Sequence, residues 1–183
     1  MKKIALSFVL LAGIVVTLAV SGERSGGTAL AGPAAAKPSP AAVERARREV
    51  RLLDDVYKTS VVLITQHYVE DEDSIAAAVA AKALFGAMKE KGWHEARLID
   101  ASGHPYNDEN LPQDGFEKRA VKEILSGKAS YDEVVTEDGK SFLLAATTVP
   151  VVMDKCIMCH ENYRTVPKNQ AIGAISYKVP VLE

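Results

Sequence analysis

YDEVVTEDGKSFLLAATTV, residues 131–149, decides the fold. Asp138-Gly139 separates two runs rich in Val, Thr, Phe and Leu. That dipeptide marks a tight antiparallel hairpin, because both central residues of the turn need positive φ. Strands are predicted over 131–137 and 140–149, and a closing strand over 171–181 (AIGAISYKVPV). Upstream, 95–101 reads as a strand, Ser102-Gly103 as a turn and 104–106 as a short return. A polar loop with Pro112 covers 107–115, and an amphipathic helix over 116–125 stops at Gly127. Two helices come first. Ser39 can cap a helix that has Pro40 at its first position and runs to about Val69. Along it Val43, Ala46, Val50, Leu53, Tyr57, Ser60, Ile64 and His67 recur at alternating steps of three and four. Glu44, Arg45, Arg47, Arg48 and Glu49 clothe the other face, either as a solvated surface or as the flank of a homodimer through this helix. The acidic run Glu70–Asp73 suits the start of a second, alanine-rich helix over 74–91, stopped by Gly92. Helices followed by an antiparallel sheet with one crossing helix make an α+β fold.

Between the last two strands stands Cys156-Ile157-Met158-Cys159-His160, which holds the only two cysteines of the chain. C-x-x-C-H is the pattern by which haem c is attached covalently. The two thiols add to the porphyrin vinyl groups, and the adjacent imidazole supplies the proximal nitrogen to iron. Two other readings stay open. The pair could form a local redox disulfide, with His160 lowering a thiol pKa. It could be half of a zinc site, although no second Cys/His pair is spaced to complete four ligands.

Lys2 and Lys3 precede an uncharged run over 4–20, the pattern of an export signal. Ala29-Leu30-Ala31 fits a cleavage site and Ala19-Val20-Ser21 a weaker one, so the signal is placed at 1–31. The same uncharged run of 17 residues reaches the low end of a membrane span, so an uncleaved anchor through 4–20 is the alternative. Residues 32–40 (GPAAAKPSP) read as a Pro/Ala linker, leaving 41–183 as a single domain. Apolar residues make up 48 % of the chain, enough for a core. The net charge is −2, and 19 basic against 23 acidic residues remain after Ala31, which argues against a nucleic-acid partner. Haem attachment of this type takes place outside the bacterial cytoplasm, so a periplasmic or otherwise extracytoplasmic location is expected.

Taken together, these pieces resemble a known family. Gly92-Trp93 leads into a strand with Arg97, and Asn107, Asn110, Pro112, Asp114 and Glu117 form an N-x-x-N-x-P-x-D-x-x-E stretch. Tyr131–Val135, the C-x-x-C-H loop and the Ile172–Ser176 strand complete a pattern similar to the Tll0287-like single-haem c-type proteins. That resemblance implies a PAS-like antiparallel sheet with N-terminal helices, one covalently attached haem lying against it and His160 proximal. It also implies a strand arginine at Arg97, which either pairs with a haem propionate or is a surface residue. In the characterised type a cysteine on the helix before Gly-Trp is the second axial ligand, but residues 74–91 contain none. His67 is then the preferred distal ligand, against a core histidine or an open iron. His94, His104, Met88, Met153 and Met158 are weaker candidates, and Tyr131, Tyr163 and Tyr177 line the pocket or fill the core.

The expected function is electron transfer or redox sensing by an exported monohaem c-type cytochrome working with a separate redox or signalling partner. A haem module that senses a diatomic gas through a separate signalling protein is the alternative. No distal acid–base constellation points to an enzyme.

Overall fold

A computed structural model describes residues 37–70, 76–113, 115–167 and 170–183. The expected signal at 1–31, the linker up to residue 36 and the acidic residues 71–73 lie outside the described residues. The first helix, α1, spans Pro40–Tyr68, with Ser39 Oγ accepting from the Ala42 N–H at 3.2 Å and proline at the first turn. The Ser39 N–H donates to the Glu183 carboxylate (2.9 Å), and Arg45 donates to the Leu182 carbonyl (2.8 Å). The last residues of the expected linker are therefore docked onto the fold. Helix α2 spans Ala77–Glu90, and Gly92 ends it at φ +74°.

The elements that follow are β1 (Glu95–Asp100), a 3₁₀ turn (Asp108–Asn110), α3 (Gly115–Leu125), β2 (Ser130–Glu137) and β3 (Lys140–Pro150). They are followed by α4 (Asp154–Cys159), a second 3₁₀ turn (Glu161–Tyr163) and β4 (Ala171–Pro180). The predicted hairpin forms, with Asp138 at φ 49° and Gly139 at φ 77°. The expected short return over 104–106 does not form a strand. Asp100 captures the Ser102 hydroxyl (2.7 Å) and the Gly103 N–H (2.6 Å), a local alternative to a ladder that turns the chain off the sheet.

All pairings are antiparallel, in the order β1-β4-β3-β2. Strand alternation gives the sheet two covered faces. On one, Leu143, Ala145, Ile175, Tyr177 and Val179 pack beneath Ala46, Val50 and Tyr57 of α1 and Phe85 of α2. On the other, Ile99, Ala146 and Ala174 pack under Phe116, Ala120 and Ile124 of α3. Gly173 of β4 stands opposite Asp100 of β1, and a Cβ there would lie 2.7 Å from the Ile99 carbonyl oxygen. Among the described residues no helix is long and apolar enough to cross a membrane.

Beneath α1 the first core encloses polar groups. Asp54 accepts from Thr147, Tyr177 (3.1 Å) and Lys58 (2.9 Å). Tyr57 stacks parallel on Tyr177 and shares a 2.6 Å hydrogen bond with His94 Nε2. His94 is 6 % exposed, and burial holds its imidazole below the ordinary value. The unfolded chain therefore binds a proton at this site in a pH range where the fold does not, and stability rises with pH up to about 6.5. The urea midpoint is expected to fall as the pH drops below about 6.5, and His94→Gln should flatten that part of the profile, as measured by denaturation from pH 5 to 8.

Candidate functional site

The C-x-x-C-H motif lies in the connection between β3 and β4, two strands that are themselves paired, so both of its ends are fixed at one end of the sheet. Residues 154–159 form the single-turn helix α4, with the His160 N–H returning to the Cys156 carbonyl (3.1 Å). A three-residue spacing on a helix puts Cys156 and Cys159 on one side. Both are free thiols and both are partly exposed, which a covalent addition requires. Met158 and Ile157, with Asp154, Glu161 and Arg164, line a groove of about 400 Å³ that neither thiol borders. Met158 thus faces away from the thiol side.

Two aromatic rings stack on His160. Tyr106 stacks against it (centroids 5.3 Å apart, 29° between planes) and so does Tyr163 (5.1 Å, 18°). Its Nδ1 is buried without a hydrogen-bond partner among the described residues, and burial holds the ring below its ordinary pKa. A neutral imidazole is the ligand form of histidine. Two accessible thiols on one side of a helical turn, followed directly by a neutral imidazole, fit a covalently attached haem. A protein-only metal centre fits less well, since no group of three or more His, Cys, Asp or Glu side chains among the described residues could hold an ion.

Lys155 fastens α4 to the end of α1. Its ammonium donates to the carbonyls of Gln66 (3.2 Å) and Val69 (2.7 Å), which the helix end leaves unpaired. His67 belongs to that last turn, but its side chain is exposed and does not continue a buried stripe. The alternating three-and-four spacing tracks a 3.5-residue repeat, whereas a straight helix advances 3.6 residues per turn and the seam drifts. The buried line runs through Ala42, Ala46, Val50 and Tyr57 to Thr65, and at roughly 100° per residue His67 falls nearly opposite Thr65. His94 is held by Tyr57, and His104 is exposed, with its carbonyl accepting from Asn162 (3.2 Å).

Arg97 points to the α3 side of β1. It pairs with Glu117 and donates to the carbonyls of Glu109 and Leu111 (the latter 3.3 Å). Arg97 thus anchors the loop over 107–113 to β1 and α3. Glu117 also accepts from the Gln113 N–H (2.8 Å), and Asn107 caps the 3₁₀ turn by accepting from the Glu109 N–H (2.9 Å). Asn107 and Glu117, the first and last residues of the N-x-x-N-x-P-x-D-x-x-E stretch, thus frame the loop that follows Tyr106. Of the three tyrosines named from sequence, Tyr163 reaches the motif, while Tyr131 and Tyr177 belong to the two cores. Tyr106 and Lys155 carry no sequence signal. An aromatic in a polar loop and a lysine beside a cysteine are both unremarkable until the chain is folded.

The Glu117 side chain is 5 % exposed and that of Arg97 30 %. Removing the guanidinium leaves a buried carboxylate short of its counter-charge, a loss of about 2 kcal/mol, below the fully buried range because Arg97 is itself partly solvated. Arg97→Ala is expected to lower the unfolding free energy by about that amount. Arg97→Lys should recover only part of it, since an ammonium cannot reproduce the planar fork. Urea denaturation at pH 7 checks both.

No curated protein and no solved structure matches the chain. One family model does, over residues 37–180, which takes in all four helices, the whole sheet and the C-x-x-C-H turn. On that match the chain belongs to the Tll0287-like family.

Proposed function

We propose that this protein is an exported monohaem c-type cytochrome that transfers electrons, or reports redox state, through a haem held by Cys156 and Cys159 with His160 as proximal ligand. The observation that carries this reading is the juxtaposition of two free thiols on one side of α4 with the His160 imidazole at its C-terminal end, which burial holds below its ordinary pKa. When bound, the haem supplies one-electron exchange at iron, with a potential tuned by axial ligands and surroundings. The protein's own part is to present the thiols on one side of α4, to hold the imidazole, and to fix α4 against α1 through Lys155. A separate redox or signalling protein would exchange electrons or information with it outside the cytoplasm.

His67 is the preferred second axial ligand. His94 is occupied by Tyr57, and Lys155 ties α4 to the turn that carries His67. The exposure of His67 favours the other reading, an open sixth position that takes a diatomic gas.

Protein made with a haem-attachment system is expected to keep peroxidase-active haem through denaturing electrophoresis. Cys156→Ala with Cys159→Ala should abolish that stain, and its survival in the double variant would rule out thioether attachment. His67→Ala is expected to move the oxidised spectrum toward high spin and to speed carbon monoxide binding to the reduced form. A wild type that is already high-spin and binds carbon monoxide rapidly would put gas sensing first.

A further inference from the structure

We infer that Tyr106 and Tyr163 clamp the plane of the His160 imidazole and are positioning residues for the axial ligand. This rests on the haem reading above and specifies how that site orients its ring. A metal-binding histidine ordinarily donates its second ring N–H to a carbonyl or carboxylate, and that bond fixes the ring's rotation. His160 Nδ1 has no such partner among the described residues. Two aromatic rings lie nearly parallel to the imidazole instead, at separations within the stacking range. Turning the imidazole about its bond to Cβ would drive its edge into one or both of them.

The two rings are placed by independent means. Tyr163 is 8 % exposed and sits on the same turn as His160, with its N–H donating to the His160 carbonyl (2.9 Å). Ser102 and Asn162 flank its hydroxyl. Tyr106 comes from the distant loop that Arg97, Asn107 and Glu117 brace, and Asn162 ties that loop to the motif through the His104 carbonyl. Tyr106 is 65 % exposed, so core packing does not account for its position, whereas stacking on His160 does. A ring held in one orientation would present the same ligand orbital to a bound iron, and the surroundings of an axial ligand tune the potential of such a centre.

The test uses the full haem-bearing protein and Tyr106→Ala, Tyr106→Leu and Tyr106→Phe. Denaturing gels stained for haem come first. A wild type without covalent haem overturns the attachment reading, and the clamp falls with it. With haem attached in all four, the hyperfine-shifted haem-methyl proton resonances of the oxidised protein and its midpoint potential are measured. Tyr106→Ala and Tyr106→Leu should both displace the methyl shift pattern and the potential, while melting temperatures stay at the wild-type value because the residue is exposed. Tyr106→Phe, which keeps the aromatic face and loses only the hydroxyl, should restore both. Wild-type shifts and potential in Tyr106→Ala and Tyr106→Leu, or failure of Tyr106→Phe to restore them, would overturn the clamp.

Discussion

The pairing of β3 with β4 is the constraint on which the rest of this structure depends. The ladder runs from Phe142 opposite Pro180 to Pro150 opposite Ala171, and β4 carries β1 on its other edge. A strand bonded on both sides has its alternation fixed, because a slip by one residue would exchange its two faces. With that register set, Tyr177 and Val179 turn toward α1 and Ala174 toward α3, and both helical layers have their seats. The same pairing places the C-x-x-C-H segment between two strands that cannot move apart.

Three further attachments hold that segment in place, and all are polar. Lys155 caps the last carbonyls of α1, Asn162 reaches the His104 carbonyl, and the Tyr163 hydroxyl lies between Ser102 and Asn162. The loop that follows Tyr106 is braced in turn by the Arg97–Glu117 pair, buried on its acidic side. Hydrophobic burial thus builds the two cores, while hydrogen bonds and an ion pair assemble the candidate site at the sheet's end. This division of labour is physically sensible, since polar bonds are directional and apolar packing is not.

The second polar group, buried beneath α1, does not touch the motif. Tyr57, Tyr177, Asp54 and Thr147 satisfy one another inside an otherwise apolar layer, with His94 as a neutral acceptor or donor at one end. An unpaired member of such a set would be costly, so the set specifies how α1 sits over β3 and β4.

By itself the sequence determined most of the elements and the spacing of the motif. The Asp138-Gly139 turn, the Ser39-Pro40 start of α1, the Gly92 and Gly127 stops and the C-x-x-C-H spacing are local signals, each set by the conformational needs of a few adjacent residues. The resemblance drawn from Arg97, Asn107, Glu117 and the closing strand agrees with the family match over 37–180. What only the tertiary structure decided is non-local. The seam of α1 depends on accumulated helical drift, so a 3.5-residue spacing placed His67 on a face that the folded helix leaves exposed. The role of Arg97 depends on α3 and the 107–113 loop folding back over β1. Tyr106 lies far from His160 along the chain, and the sheet, the braced loop and the motif turn must all be in place before their rings can stack.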